Sequence, residues 1–372
     1  MIRSFLIITF LSLLVVSQYA QADGLFLNGI SPRSIGRGGT NIGHSDNGAI
    51  IFDNPAAMTN IEGTWLAEVG VDVLISDFEY QDANTAGTQK SSIGTPLPQI
   101  AIIKKSQDGH WAYGFGVFTP AGFSESYRMT AGPPFAGEQN YDSFGSLTKI
   151  LPSLAWAPND RLSIGGTLGV AVSHVEFETP YFIANPLPSP PPVVPLLLDL
   201  QGTGAALIWS TGLQYKLNEG TTLGLTYQSE SSFKLDGPAN ATLPGPALLR
   251  FDADTRIKWP QSLGFGMKHQ VNPKNTFSAD VIWFDWSSAF DSIGISLNAT
   301  APPSFPDINE SVPLDWKDTV SVRLGYEIDL AYALTVGKDV HVGTSDILGG
   351  DFNDSRHGAA FHAISIGAIK KF

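Results

Sequence analysis

The sequence predicts an all-β protein: a transmembrane antiparallel β-barrel of about 12–14 strands, with an N-terminal plug inside the lumen. Three observations predict it. The chain opens on an export signal, its body alternates apolar and polar residues with period two, and short connections alternate with long ones.

The export signal comes first. Arg3 precedes an apolar run over residues 5–16. At roughly a dozen residues, that run is too short to cross a bilayer core of roughly 30 Å as a helix. Ala20-Gln21-Ala22 then places small residues where a signal peptidase accepts them, so cleavage is expected before Asp23. Residues 1–22 read as the signal peptide, 23–63 as the plug and 64–372 as the barrel.

Composition narrows the class. After the signal, the sequence has no apolar stretch long enough for a transmembrane helix, so a membrane-embedded chain must cross with strands. Only 15% of residues are charged, against about 25% in soluble domains. A net charge of −13 argues against nucleic acid, whose phosphates need clustered Lys and Arg. With no Cys there is no disulfide framework and no thiolate metal site. No cofactor or metal is expected.

Period-two alternation is the strongest local signal. Leu162, Ile164, Leu168, Val170 and Val172 share one face of a segment whose other face is Ser163, Gly165, Thr167, Gly169 and Ala171. Trp65, Ala67, Val69, Val71 and Val73 alternate with Glu68, Gly70 and Asp72. Val320, Val322, Leu324 and Tyr326 alternate with Ser321, Arg323 and Gly325. A soluble sandwich also alternates. The connections break the tie. Ser106-Gln107-Asp108-Gly109, Pro158-Asn159-Asp160, Asn218-Glu219-Gly220 and Asn272-Pro273-Lys274-Asn275 are short turns. Residues 77–96, 119–143, 180–199, 234–252, 299–315 and 343–359 read as long loops. Outer-membrane barrels have short periplasmic turns and long outer loops. Phe372 closes an alternating last strand, with Lys370 interrupting its apolar face.

Residues 23–63 lack strand alternation and are rich in Gly. Irregular backbone of this kind is tolerated at membrane depth only where protein buries it. Leu27-Asn28-Gly29, Gly36-Arg37-Gly38-Gly39, Asp46-Asn47 and Asn54-Pro55-Ala56-Ala57-Met58 resemble the N-terminal plug of the FadL/TodX family. Later stretches, around Trp156 and from Trp316 to Glu327, resemble that family's strands. The resemblance implies outer-membrane transport of long-chain fatty acids or aromatic hydrocarbons, by passive diffusion. It also implies a barrel of about fourteen strands, an even number as single-chain bacterial barrels normally have. The sequence departs from that pattern near Glu327 to Tyr332, as though about two strands were missing: twelve strands are expected if that pair is absent, fourteen if neighbouring strands run together there.

Candidate site residues follow. Gly36, Arg37, Gly38, Gly39, Asn54, Pro55 and Ala56 form the plug motif. Asn before Pro also reads simply as a turn, and Arg37 either pairs a plug carboxylate or orients a ligand carboxylate. Phe118, Phe123, Phe135, Tyr181, Phe182 and Ile183 are candidates for ligand capture or pocket walls. The competing reading packs them on the barrel's own rim. Gly114, Gly116 and Pro120 mark a bulge or bend in a strand. Family members are kinked in the third strand, so a lateral opening is expected there.

An enzyme is not expected. There is no G-x-S-x-G elbow, and His357 and His362 lie neither at metal-ligand spacing on a helix nor beside a carboxylate cluster. The expected partners are a hydrophobic small molecule, outer-membrane lipid and lipopolysaccharide, and the barrel-assembly machinery; a monomer is expected. The rival reading is a surface barrel that does not transport, an adhesin or phage receptor using its long loops.

Overall fold

The computed structural model describes residues 25–81, 87–130, 135, 137–185, 193–243, 247–272, 275–327, 333–336, 340–341 and 356–371. The expected signal peptide, the break at 328–332 and Phe372 lie outside them, and side chains of 327–368 are not described.

Strand-forming sequence dominates, and the strands make one seventeen-stranded sheet. Six are continuous: β1 (Trp65–Gln81), β2 (Gln89–Lys105), β3 (Trp111–Thr130), β4 (Glu138–Trp156), β5 (Leu162–Ala184) and β6 (Val193–Asn218). The next eight are halves: β7 (Thr221–Gln228) and β8 (Ser231–Thr242), β9 (Leu248–Trp259) and β10 (Ser262–Asn272), β11 (Asn275–Phe284) and β12 (Ser292–Ala301), β13 (Ile308–Pro313) and β14 (Thr319–Glu327). β15 (Ala333–Val336), β16 (Val340–His341) and β17 (Arg356–Lys371) complete the order.

The halves lie end to end. β7 pairs with β6 from Ser210 to Asn218, whereas β8 pairs with β6 from Leu197 to Thr203. β10 follows β7 and β9 follows β8, and β11 and β12 repeat the pattern. β14 pairs with β11 and β13 with β12, while β15 and β16 both pair with β17. Five such mergers turn the seventeen segments into twelve spans among the described residues. β1 pairs with β2 on one side and with β17 on the other, so the first span lies against the last. β14 ends at Glu327 and β15 begins at Ala333; among the described residues no further span lies between them, where the sequence breaks from the family pattern.

Burial along the spans is inverted relative to a soluble protein. Leu207 is 79% exposed and Leu168 69%, and Val69, Ile100, Phe115, Leu154, Phe265 and Leu324 are also exposed. On the opposite face Glu68, Asp72, Gln99, Gln214, Asp280 and Arg323 are buried. An apolar outside with a polar inside is the arrangement lipid demands, because an apolar belt contacts acyl chains at no cost. Trp111 and Trp156 stack at 6.0 Å beside the turn at residues 106–110, where aromatic rings suit the interface.

Among the described residues, strand covers much of what the sequence reads as long loop. β3 runs to Thr130 and β4 starts at Glu138; β5 reaches Ala184 and β6 starts at Val193. Strands continue past the apolar band, where the outward face has no lipid to match and turns polar, and this reads as loop. A second core fills this outer part: Ile183, Leu196, Leu198, Leu200, Phe251 and Leu297 are buried together.

The segment before β1 is not strand. It contains α1 (Pro32–Gly36), α2 (Ile50–Asp53) and a 3-10 turn (Pro55–Asn60). Its Ile30, Ile42, Ile50, Ile51 and Met58 are buried against wall residues such as Leu66, Ile103, Phe118 and Leu151. A last short helix, α3 (Trp286–Ala289), separates β11 from β12.

Candidate functional site

The N-terminal segment is held by polar groups on both sides of its contact with the wall. Arg37 donates through Nη1 to Asp46 at 2.8 Å and through Nη2 to the Asn41 side-chain oxygen at 2.8 Å. Arg33 reaches the same Asp46 oxygen at 2.9 Å. Burial alone would raise the Asp46 pKa, but the Arg37 charge and hydrogen bond, with Arg33 beside them, outweigh it and hold the carboxyl well below the usual range. Burial, then the Arg37 charge, lowers the His44 pKa and keeps its ring neutral. A buried charge with its counter-charge and hydrogen bonds in place is tolerable; alone it is not.

The wall answers residue by residue. Asp280 on β11 accepts from the backbone N–H groups of Asn41 at 2.7 Å and Ile42 at 3.1 Å. Arg323 on β14 donates to the Gly39 carbonyl at 3.1 Å. Glu68 on β1 accepts from the Gly48 N–H. Gln214 on β6 donates to the carbonyls of Ile42 and His44 at 3.0 and 2.9 Å. Asn54 caps the 3-10 turn by accepting from the Ala56 N–H at 3.2 Å, and its amide donates to Ile42 O at 3.0 Å and Leu213 O at 3.1 Å. Pro55 follows at the first position of that turn, which suits its fixed φ. Gly38 and Gly39 have φ of +63° and +82°, where a side chain would be strained, and Gly36 ends α1.

The glycines on the polar face of the strands make the room. A Cβ on Gly165 would lie 2.5 Å from the Ala56 nitrogen, and one on Gly212 would collide with the Asn54 side chain. A Cβ on Gly114 would meet Met58 Sδ at 2.5 Å, and one on Gly116 would meet the Phe118 ring. Gly114 and Gly116 pair in register with Ile103 and Ala101 on β2, and with Ser153 and Leu151 on β4. They admit side chains, and their register with both neighbouring strands is regular.

The irregularity lies further along. Against β4, Phe118 pairs with Lys149 and Ala121 with Leu147, so Thr119 and Pro120 together oppose Thr148. That is a bulge. The ladder between β2 and β3 ends at the Gln99–Phe118 pair. Beyond it, β2 keeps its partner β1 and β3 keeps β4. Main-chain pairing between β2 and β3 therefore stops there, while the two strands stay in contact through a bond from Ser126 N–H to Ser91 Oγ at 2.9 Å. Residues 26 and 27 sit at this place: Leu27 N–H donates to Pro120 O at 2.9 Å, and Phe26 forms a single bridge with Ala121. Leu27 packs with Leu74 and Leu97 there.

A cavity of about 30 Å³ adjoins this place, lined among others by Phe26, Leu27, Phe52, Pro120, Gln228 and Phe284. That is room for about two waters, not for a hydrocarbon chain. Behind Phe26, the rings of Trp259, Phe284, Trp286, Phe290 and Trp316 form one aromatic cluster.

The candidate capture residues fall into different places. Phe118 is fully buried, with its ring 6.1 Å from Phe52. Phe123 is half-buried beside Gly145. Phe135 and Phe182 meet edge-on at 5.6 Å. Tyr181 donates its hydroxyl to Glu310, and Ile183 lies inside the outer core. The structure thus joins Phe135 to Phe182 and separates both from Phe118. Glu68, Gln214, Asp280 and Lys149 had no place among the sequence candidates. For Glu68, Gln214 and Asp280 the signal is a polar or charged side chain on the small-residue face of an alternating strand; Lys149, between Leu147 and Leu151, lacks it.

These features define an outer-membrane transport barrel. The family model for outer membrane protein transport proteins (OMPP1/FadL/TodX) matches residues 13–342, and the chain belongs to that family. The family is one of transporters of hydrophobic compounds, not of enzymes, in the Gram-negative outer membrane. Among solved structures the fold resembles the Pseudomonas putida toluene transporter TodX, with TM-score 0.74 and 19% identity over 94% of this chain and 100% of that one. The Ralstonia pickettii toluene transporter TbuX gives 0.72 and 18% over 93% and 99%. A Pseudomonas aeruginosa FadL homologue gives 0.70 and 16% over 94% and 100%. No curated protein matches the chain significantly.

Proposed function

We propose that the chain takes up apolar molecules passively, with residues 23–63 acting as a plug. A molecule enters from the outer end, is held against Phe26, Phe52 and Phe284, and leaves sideways between β2 and β3 into the membrane. Fatty acids and aromatic hydrocarbons are the substrate classes. The end of main-chain pairing between β2 and β3 beyond Gln99 and Phe118, at the Thr119–Pro120 bulge, carries this reading. Lateral release suits an apolar cargo because it never has to cross water. The lipid and lipopolysaccharide contacts, assembly by the barrel machinery and the monomeric state belong to the same reading.

A cross-link tests it. A Cβ on Gly122 would lie 3.2 Å from Leu97 Cδ2 across this unpaired stretch, and the chain has no native Cys. Joining Leu97→Cys to Gly122→Cys with a short bis-maleimide should cut uptake of labelled oleate or toluene by about tenfold or more. Unlinked double-mutant protein should transport normally. Undiminished uptake in fully linked protein rules out lateral release. A deletion strain with unchanged uptake of every apolar ligand favours the adhesin or receptor reading.

A further inference from the structure

Transport leaves two lysines of the first and last spans unexplained. Lys370 interrupts the apolar outward face of β17, and Lys104 lies at the end of the outward face of β2. Both are exposed. Strand register brings them to one place. Trp65 on β1 lies opposite Lys104, and Lys104 lies opposite Tyr113 on β3. On the other side of β1, Ala67 lies opposite Lys370. Residues 65 and 67 share a strand face, so the whole group points away from the lumen. Two strand spacings of about 4.8 Å and a two-residue rise of about 6.8 Å put the lysines about 12 Å apart at the backbone.

Their depth follows from the turn at residues 106–110, which joins β2 to β3 directly beyond Lys105. Short turns of this kind are periplasmic, so the group stands at the periplasmic leaflet. Toward the middle of the membrane the same face continues as exposed Val69, Val71, Ile100 and Ile102. Lys104 Nζ is 4.9 Å from the centre of the Trp65 ring, an attraction that keeps the ammonium at the depth of the headgroups. Lys370 starts one pleat deeper, and its long stem reaches the same level by extending toward the turn. No carboxylate among the described residues forms an ion pair with Lys104. Further round this rim exposed aromatics take outward positions, among them Trp156, Tyr215, Phe277 and Tyr326. On a chain of net charge −13, two outward lysines thus gather where the first span meets the last.

We propose that Lys104 and Lys370 hold the phosphate of one anionic phospholipid of the periplasmic leaflet, and that this lipid staples β1, β2 and β17 together. It specifies the lipid contacts of the proposed function and does not depend on what the barrel carries. An ammonium at headgroup depth is drawn to anionic lipid and makes charge-assisted bonds to its phosphate oxygens. The acyl chains then lie along the apolar face that begins at Val69 and Ile102. A zwitterionic lipid offers the same phosphate but brings a cation of its own, which the lysine pair repels. The phosphates of lipopolysaccharide lie at the opposite end of these strands. The lipid adds to a tie already made at this junction, where Lys371 donates to Glu62 at 3.0 Å.

The test is native mass spectrometry of the full-length protein purified in detergent, titrated with dioleoyl phosphatidylglycerol, dioleoyl phosphatidylcholine or lipid A. Wild type should bind phosphatidylglycerol about fivefold or more tightly than phosphatidylcholine. Lys104→Met combined with Lys370→Met should erase that preference by weakening phosphatidylglycerol alone. Lys104→Arg combined with Lys370→Arg, which keeps both charges, should retain it and guards against a folding defect in the methionine variant. In phosphatidylcholine vesicles, replacing a minority of the lipid by phosphatidylglycerol should raise the temperature of the heat-modifiable transition of wild type and leave the methionine variant unmoved. Equal binding of the two phospholipids by wild type, or a preference that survives in the methionine variant, overturns the site. Tighter binding of lipid A than of phosphatidylglycerol overturns the periplasmic leaflet as its source. A preference without a shift in the transition overturns the staple. Uptake of labelled oleate or toluene, measured on the same variants, tests the transport reading separately.

Discussion

The side chain of Asn54 donates to the carbonyl of Leu213, 159 residues further along the chain, at 3.1 Å. This bond ties the last turn before the first strand to the inner face of β6. The same amide also reaches Ile42 O, so one side chain fastens two parts of the N-terminal segment to the wall.

Asn54→Ala should therefore loosen the segment without dissolving the barrel. The variant loses two hydrogen bonds worth about 0.5–1.5 kcal/mol each, while Ile42 O keeps Gln214 as a donor. Limited proteolysis of outer membranes should cut the variant within residues 25–60 faster than wild type. The heat-modifiable mobility of the barrel should not change. Equal cleavage rates would contradict a fastening role.

Gly165→Val should be more severe, because its Cβ meets the Pro55 and Ala56 backbone at 2.5 Å and neither can move as a flexible side chain does. The barrel can form with the segment displaced. Single-channel recordings should then show larger conductance than wild type; an unaltered closed state would count against the segment filling that space.

Docking of the segment should weaken as pH rises. Burial pushes the Asp53 pKa up to about 7, against the Asn41 hydrogen bond and the Arg323 and Arg37 charges, with Asp280 adding to the rise. A carboxyl with a raised native pKa holds its proton when folded. Its contribution is complete below the unfolded value near 4 and is lost as pH climbs through about 7. Proteolytic protection of residues 25–60 should be greater at pH 6 than at pH 8. Asp53→Asn should flatten that dependence.

Leu168→Arg places a charge on a side chain that is 69% exposed on the outer face. In a bilayer this costs about 2–4 kcal/mol near the midplane. Reduced assembly into the outer membrane, read by heat-modifiable mobility, is the expected outcome. Normal assembly would mean that the position does not face acyl chains.

Legibility differed between the wall and the site. Alternation at Leu162 to Val172 and at Val320 to Tyr326 revealed the strands, because lipid outside and polar protein inside impose period two on any sequence that spans this way. It could not show where spans stop, since beyond the bilayer the outward constraint vanishes; residues 119–130 read as loop and are strand. Gly114 and Gly116 signalled an anomaly in β3, but their register with β2 and β4 is regular, and the bulge falls at Thr119–Pro120. A glycine reports missing volume without saying whether a bend or a neighbour needs it. Here Met58 and Phe118 do.

The sequence by itself determined the strand class and the irregular N-terminal segment, because each is a pattern among residues near one another in the chain. Tertiary structure alone decided which inward groups meet. Asp280 accepts from Asn41, Arg323 reaches Gly39, and Lys149 faces Phe26 and Phe52, from positions as much as 284 residues apart in the chain. The physical reason is that a charge on an inward face must find its partner across the lumen, and no local period encodes which one arrives.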